Sequence, residues 1–228
     1  MPKRETPFVP GYTYHIYNRG NNRGSIFFDD ENYLFFLRRW RKWMLPYVDV
    51  IAYCLMPTHY HFLVRIKEIV SQAQTLEVLE TSEVIKTAKV SDAAEVSTTN
   101  ISKAMQKLII SYTKAINKRF ERVGALFQGA YKAKRIESEM HLIHLCRYIH
   151  TNPVKDGLVD SVEDWLFSNY LEWIGQRDGS LVKQEFVKNH FPDPGDYASF
   201  VNDFITTRYL PDEMMGFFIV GYMHGDVI

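Results

Sequence analysis

Two histidines have the spacing and the chemistry of a metal-binding pair. His59 and His61 are two residues apart in a stretch that alternates like a β-strand, so both imidazoles are expected on one face of a sheet. Two imidazoles placed in this way can chelate one divalent cation when a third oxygen or nitrogen ligand comes from elsewhere. Isolated pairs of this kind also arise by chance, as half-buried strand histidines that are hydrogen-bonded to the backbone. Tyr60 between them points to the opposite face, where a core position is expected.

A second group of polar side chains lies on a later helical segment. Tyr148 and Asn152 are four residues apart and share a helix face, and His144 extends the same row upstream. Asn152 can offer a carbonyl oxygen to a metal, and the Tyr148 phenol can act as a nucleophile. A free phenol has a pKa near 10, so attack at neutral pH requires a neighbouring cation or base. The alternative is a buried tyrosine, with Asn152 as a helix C-cap before Pro153.

Turn signals, capping residues and apolar periodicity predict the elements that position these groups. The expected strands cover residues 13–18, 48–56, 59–66 and 127–136, and the expected helices run from Asp29 or Asp30 to Leu45, from Ser102 to Gly124 and from Ser138 to Pro153. The order strand, helix, strand, strand, helix, strand is that of the split βαβ pattern. We therefore expect an α+β fold, a ferredoxin-like sheet with helices on one face.

Two segments fall outside this pattern. Residues 68–99 contain no aromatic residue and are expected to form an insertion or a flexible linker, partly helical at most. Residues 156–228 are acidic and contain aromatic helical pieces, which indicates a helical C-terminal extension packed on the core. The chain is thus predicted to divide into a catalytic domain over 1–155 and this extension.

Composition excludes several classes of protein. No apolar run approaches the roughly 20 residues of a membrane-spanning helix, and residues 1–11 lack the apolar region of a secretory signal. The two cysteines, Cys54 and Cys146, cannot build a disulfide framework or a thiolate zinc site. We therefore expect a cytoplasmic protein that does not associate with a membrane.

The net charge is zero, but basic and acidic residues are concentrated in different parts of the chain. Residues 1–67 carry a net charge of +5 and residues 100–155 carry +8, whereas residues 68–99 carry −4 and residues 156–228 carry −9. A basic half can hold a polyanion because the electrostatic field and counterion release are local. On charge alone, solvated helix faces explain the pattern slightly better. The cations that could hold such a polyanion are Arg19, Arg23, Arg38, Arg39, Arg41, Lys103, Lys107, Lys114, Lys118 and Arg135.

Together these segments resemble one family of enzymes. The strand with the two histidines resembles the metal-binding HUH motif (histidine, bulky hydrophobic, histidine) of single-tyrosine HUH transposases, in the residues LMPTHYHFLV. The later helix is similar to the nucleophile-bearing helix of REP-associated tyrosine transposases, in the residues RYIHTNPVKDGLV. Two further similar segments fall in the expected order, YHIYNRGNNRGSIFFDDENY and DWLFSNY. Tyr60 departs from the pattern, since the family usually places an aliphatic residue there.

The resemblance implies a site and a reaction. His59, His61 and Asn152 would bind Mg²⁺ or Mn²⁺, although related insertion-sequence enzymes typically have glutamine at the position of Asn152. Tyr148 would attack single-stranded or hairpin DNA associated with repeats, forming a 5′-phosphotyrosine intermediate for strand transfer. The ten cations named above would be the DNA-binding residues. Two other functions stay open: a non-catalytic nucleic-acid-binding regulator with the same fold, and a ferredoxin-like protein that binds a small molecule or a partner protein. The resemblance also leaves open a monomer or a homodimer.

Overall fold

A computed structural model of the chain describes residues 7–68 and 83–207, with the side chains of the second range described from residue 95 onward. Four strands and six α-helices lie in these ranges. The strands are β1 (Thr13–Arg19), β2 (Val48–Met56), β3 (His59–Ile66) and β4 (Lys132–Ile136). The helices are α1 (Asp30–Trp43), α2 (Glu83–Arg119), α3 (Glu139–Lys155), α4 (Tyr170–Trp173), α5 (Gln184–His190) and α6 (Pro194–Thr207).

The strands form one antiparallel sheet in the order β2-β3-β1-β4. This is the strand order that the split βαβ pattern requires, so the predicted fold class is confirmed. The central hairpin has the predicted bounds, and its two-residue turn, Pro57-Thr58, sets Met56 opposite His59. Consecutive residues of β3 therefore alternate between two differently covered faces of the sheet.

One face is covered by α1 and α2, the two helices of the split βαβ unit, as predicted. Trp40 of α1 stacks on Phe62 of β3 with ring centroids 3.5 Å apart and planes within 6° of parallel. The apolar stripe of α2 also packs here, including Met105, Leu108 and Tyr112, which are fully buried. Helix α1 begins where its sequence signal predicts, because the Asp29 side chain accepts a hydrogen bond from the Asn32 backbone N–H.

The opposite face is covered by α3, which the strand–helix order alone did not assign to a face. Leu63 of β3 packs in the same apolar cluster as Leu145 and Ile149 of α3. The helix begins at its predicted cap, since the Ser138 hydroxyl accepts a hydrogen bond from the His141 backbone N–H. Helix α6 lies against α3, and Tyr197 of α6 is buried in this cluster.

Several predicted element bounds were wrong. Helix α2 begins at Glu83 rather than near residue 102, so residues 83–99 are helical, whereas residues 69–82 lie outside the described residues. The same helix ends at Arg119 rather than at Gly124. Helix α3 continues through Pro153 to Lys155. Pro153 lacks one backbone donor, but the Asp156 N–H still donates to the Asn152 carbonyl. Strand β4 begins at Lys132 rather than at residue 127.

The segment after α3 runs along the outer strand β2. Backbone hydrogen bonds join Leu55 N–H to the Phe167 carbonyl and Lys183 N–H to the Val50 carbonyl. These bonds cover an edge that would otherwise expose unpaired backbone groups. The proposed division at residues 155 and 156 stays a prediction. In the described ranges, no helix combines the length and the apolar character needed to cross a membrane.

Candidate active site

The hairpin places both histidines on the α3 face of the sheet. His59 and His61 alternate with Tyr60 and Phe62, which are buried on the α1/α2 face. The two imidazole centroids are 5.1 Å apart, and their planes are nearly perpendicular, at 86°. Tyr60 thus occupies the core position that its place in the strand predicted, and the two imidazoles lie together on the other side.

Each imidazole is held through Nδ1 and has an unpaired Nε2. His61 Nδ1 is 2.9 Å from His15 Nε2, and His59 Nδ1 is 3.0 Å from Thr58 Oγ1. Both Nε2 atoms are buried and lack a hydrogen-bond partner among the described residues. Buried polar atoms are rarely left unpaired, because the loss of hydration is not compensated. The tautomer with the proton on Nδ1 directs two Nε2 lone pairs to a cation.

Burial keeps both imidazoles neutral. It lowers the pKa of His59 to about 4, and the nearby cations Arg19 and Lys155 add to the effect. Burial also lowers the pKa of His61 well below its usual value, and His15, His59 and Lys155 contribute in the same direction. A metal competes with protons for these nitrogens, so a lowered pKa leaves them available to a metal at neutral pH.

Tyr148 of α3 meets the histidine pair across the sheet face. Its ring centroid is 6.4 Å from that of His61, with the planes at 82°. Burial, together with the Asp156 carboxylate, raises the pKa of the phenol to about 12. The resting phenol is therefore protonated and weakly nucleophilic. The Lys155 ammonium lies 5.0 Å from the centroid of the same ring, which places a cation beside the candidate nucleophile.

Asn152 lies one helical turn after Tyr148, with 2% of its surface exposed. Its side-chain Nδ2 is buried without a hydrogen-bond partner among the described residues. The alternative assignment of Asn152 as the C-cap is wrong, because α3 continues and its cap is Asp156. A cation would bind Asn152 through Oδ1, whereas the unpaired atom is the Nδ2 donor, so the third-ligand role of Asn152 stays a prediction.

The donor set suits a hard divalent cation only in part. No cluster of three or more His, Cys, Asp and Glu residues that could hold a metal occurs in the part of the chain that the structure describes. A cation here would depend on the two imidazoles, an amide oxygen and ligands from outside the protein. Phosphate oxygens and water are the usual companions of Mg²⁺ or Mn²⁺, so an incomplete protein shell fits a site that binds phosphate.

The ten predicted DNA-binding residues are distributed over both faces of the sheet. Arg19 lies opposite His59 in the strand register, beside the candidate site, and Arg23 is exposed in the turn that follows β1. Seven of the predicted residues belong to α1 and α2, which cover the face opposite to Tyr148. They are Arg38, Arg39, Arg41, Lys103, Lys107, Lys114 and Lys118. Arg135 is on β4, with its guanidinium 4.1 Å from the Tyr12 ring centroid. The structure brings Arg19 together with the catalytic candidates and sets the helix cations apart from them.

Several residues near the site are not among the site residues predicted from the sequence. His15 holds His61, and Tyr17 lies opposite His61 in the register. Lys132 and Lys134 of β4 lie opposite Tyr17 and His15, so they face the same side of the sheet. The period-two spacing of these lysines was a usable signal, but their alignment with His15 and Tyr17 depends on strand register.

His144, which the sequence places in the same helical row as Tyr148, has a different partner. Its Nδ1 accepts a hydrogen bond from Arg147 Nη2 at 2.7 Å. The Arg147 guanidinium in turn lies 4.1 Å from the Phe200 ring centroid and 4.5 Å from that of Phe204, both on α6. The pair His144–Arg147 therefore helps to hold α6 against α3.

Comparisons with known proteins agree with this fold. No protein-family model matches the chain, and no curated protein sequence matches it. Among solved structures, a REP-associated tyrosine transposase bound to a REP hairpin matches with a TM-score of 0.51 over 80% of this chain and 98% of that chain, at 16% identity. A candidate transposase from Deinococcus radiodurans R1 covers 65% of this chain and 96% of its own at 16% identity, but its TM-score of 0.34 is too low to support an argument. The likeness to the first protein confirms, for the fold, the resemblance that the sequence segments indicated.

Proposed function

We propose that this protein is a metal-dependent DNA strand-transfer enzyme of the single-tyrosine HUH type. It would cleave and rejoin single-stranded or hairpin DNA through a covalent link to Tyr148. The main support is one observation: Tyr148 of α3 and His61 of β3, which are distant in the chain, meet with ring centroids 6.4 Å apart on one face of the sheet.

The residues that would hold the metal are His59, His61 and Asn152. The two unpaired, buried Nε2 atoms support this assignment, as does the neutral state that burial imposes on both imidazoles. When bound, Mg²⁺ or Mn²⁺ supplies Lewis-acid chemistry: it polarises a phosphate oxygen and stabilises the charge that develops around phosphorus. The hydrogen bond from His61 Nδ1 to His15 would fix the orientation of the ligating ring.

Tyr148 would be the nucleophile. Its Oη forms a bond to phosphorus as the bond from phosphorus to the 3′ oxygen breaks. The phenolic proton passes to water, and the departing 3′ oxygen takes up a proton from water. The products are a 5′-phosphotyrosine and a DNA end with a free 3′-hydroxyl. Attack by a second 3′-hydroxyl reverses the step and releases the phenol, so strand transfer needs no external energy source.

The surroundings of Tyr148 would make the attack conditional on bound substrate. With a pKa of about 12, the phenol stays protonated in the resting site, which limits unproductive attack. The exposed Lys155 ammonium beside the ring, and Arg19 opposite His59, would hold the scissile phosphate close to Oη. A hairpin with a single-stranded extension is the proposed substrate, because the transposase with the similar fold was solved with a hairpin.

The test is covalent capture of DNA. A hairpin oligonucleotide with single-stranded extensions is labelled at its 3′ end in one sample and at its 5′ end in another, incubated with the protein and Mn²⁺, and separated on a denaturing gel. We expect the 3′ label to migrate with the protein and the 5′ label to be released on a shorter strand.

Two controls accompany this experiment. A chelator and the Tyr148→Phe variant should each abolish the adduct. An adduct that persists in Tyr148→Phe would contradict the assigned nucleophile. DNA binding without an adduct under any divalent metal would favour the non-catalytic regulator instead.

A further inference from the structure

A small cleft opens beside the candidate active site, where the chain leading into β4 runs along the end of β1. Its volume is about 220 Å³, and its lining includes Tyr17, Asn18, Arg19, Gln128, Gly129 and Lys132. Pockets for drug-sized ligands measure roughly 300–1,000 Å³. The cleft is therefore sized for one ring system and is too small for a base pair.

The cleft adjoins the histidine pair through β1. Tyr17 lies opposite His61 in the strand register, with ring centroids 6.2 Å apart, and Arg19 lies opposite His59. Neighbouring strands are about 4.8 Å apart, so the cleft begins one strand away from the imidazoles. A DNA strand whose phosphate lies at the histidines would therefore place an adjacent nucleotide at the cleft.

The cleft has one wall fixed by hydrogen bonds. Asn18 Nδ2 donates to the Gly129 carbonyl at 3.1 Å, and Asn18 Oδ1 accepts from the Arg19 backbone N–H at 2.9 Å. The Gln128 backbone N–H donates to the Arg19 carbonyl at 3.0 Å. Asn18 therefore has a structural role, and it holds residues 128 and 129 beside β1.

The remaining chemistry of the lining fits a nucleotide. The Gln128 side chain is exposed and carries one amide donor group and one acceptor, the pair that can meet the edge of a base. Arg19 and Lys132 supply positive charge for phosphates on either side, and no carboxylate belongs to the cleft as the structure describes it. Lys134, two residues further along β4, continues the positive charge on the same face.

We propose that this cleft receives one unpaired nucleobase next to the scissile phosphate, and that Gln128 selects which base is accepted. Arg19 and Lys132 hold the phosphates that flank this nucleotide. The proposal rests on the proposed function, since it assumes that a DNA strand lies across the histidine pair. It assigns a specificity site that is separate from the nucleophile and from the metal ligands.

Gly129 allows the cleft to be filled without disturbing the fold. A Cβ added there meets no atom within 4 Å, and the backbone at Gly129 is not in the left-handed region. Gly129→Leu should therefore fold normally and occupy the space of the base. Ala125→Leu is the matched control, because Ala125 is exposed in the same connection and does not line the cleft. Gln128→Leu removes the amide and keeps a side chain of similar size.

Binding is measured apart from cleavage, in the Tyr148→Phe background with a chelator, by fluorescence anisotropy. The DNA is a hairpin with single-stranded extensions in which each extension base is replaced in turn by an abasic site. We expect one abasic position to weaken binding about tenfold, the scale of one specific base interaction. In Gly129→Leu this penalty should disappear and the intact DNA should bind about as weakly as the abasic DNA. Gln128→Leu should reduce discrimination among the four bases at that position.

The outcomes separate this inference from the proposed function. If Gly129→Leu and Ala125→Leu both show the full abasic penalty, the cleft does not hold a base and the inference is overturned. In that case an adduct on Tyr148 in the otherwise unchanged protein would still support the proposed function. If the parent protein binds neither the hairpin nor its extensions, both the inference and the proposed function are overturned.

Discussion

The two faces of the sheet bury different kinds of side chain. Between the sheet and α1/α2 the buried groups are mostly aromatic and aliphatic, and Trp40 stacked on Phe62 lies near their centre. Between the sheet and α3 the chain buries His15, His61 and Asn152 with exposed fractions of 5%, 0% and 2%. Buried polar groups that lack partners reduce stability. The first face therefore provides most of the packing, and the second face buries the polar groups of the candidate site.

The buried histidines of the α3 face differ from one another in how their ring nitrogens are paired. His150, buried on the α3 face, is paired at both nitrogens: Nε2–H donates to Asn169 Oδ1 at 3.0 Å, and Nδ1 accepts from Tyr197 Oη at 2.6 Å. His59 and His61, on the same face, each have an unpaired Nε2. A structural histidine and a candidate metal ligand can therefore be distinguished by the state of the second nitrogen.

The largest expected effect is the difference between two substitutions in β3, one on each face of the sheet. His61→Ala should abolish adduct formation, a loss of at least about 100-fold, since even residues that only orient metal ligands cost 10–100-fold. Tyr60→Phe, the neighbouring position on the other face, should leave adduct formation unchanged. Both are measured by the rate of adduct formation with 3′-labelled hairpin and Mn²⁺. Equal losses in the two variants would show that the faces are not functionally distinct.

The second-largest expected effect is on the free energy of unfolding and concerns the sheet face that is covered by α1 and α2. Trp40 is fully buried, so Trp40→Ala should lower the free energy of unfolding by about 3–5 kcal/mol. Trp43→Ala, at a half-buried position of the same helix, should cost clearly less. Urea unfolding followed by circular dichroism gives both values. A loss below about 1 kcal/mol for Trp40→Ala would contradict the assignment of this face as the main source of packing.

Acid should destabilise the molecule through the α3 face. In metal-free protein, burial lowers the pKa of His15 to about 3 and of His59 and His150 to about 4, whereas the unfolded chain protonates histidine near pH 6.5. Between these values the unfolded state binds more protons. The free energy of unfolding therefore falls as the pH falls below 6.5, by up to about 1.4 kcal/mol per pH unit for each histidine.

Urea unfolding at pH 7.5, 6.0 and 5.0 in a chelator measures this slope. Within that range most carboxylates stay ionised, so the slope reports mainly on histidines. His59→Gln should reduce the slope by its own share. A free energy of unfolding that is independent of pH over this window would contradict the burial of these neutral imidazoles.

The smallest expected effect is a difference in the salt dependence of DNA binding when cations on one face or the other are replaced. Lys132 and Lys134 face the candidate site, whereas Lys103 and Lys107 lie on α2 at the other face. Replacing the first pair with alanine should reduce the salt dependence of hairpin binding by a slope of about 1 for each phosphate that the variant no longer neutralises. Replacing the second pair should change it less. Equal changes would show that DNA also binds along α2, as the charge pattern of the sequence allowed.

The local parts of the fold were predictable from sequence. The bounds of β2 and β3 match because alternation and the Pro57-Thr58 turn are signals within the hairpin itself. Asp29 and Ser138 cap helices because their side chains accept hydrogen bonds from backbone N–H groups three residues further along the chain. The early start of α2 was missed because residues 83–101 have few large apolar residues, although several of them favour helix.

The candidate site could be predicted only in part. The convergence of His61 and Tyr148 was expected from a family resemblance and not from the residues, since no local pattern specifies an approach of α3 to β3. The positions of His15, Lys132 and Lys134 depend on the register of β1 with β3 and β4. A register shift of one residue would move these side chains to the other face, and that register is set by non-local packing.

Identification of the covalently modified residue tests the central claim most directly. The protein is incubated with the hairpin and Mn²⁺, the adduct is digested with nuclease and protease, and the peptides are sequenced by mass spectrometry. We expect a nucleotide joined by its 5′ phosphate to the peptide that contains Tyr148, and none in the chelator sample. A nucleotide attached to any other residue, or tightly bound DNA with no modified peptide, would contradict the assignment of Tyr148 as the nucleophile.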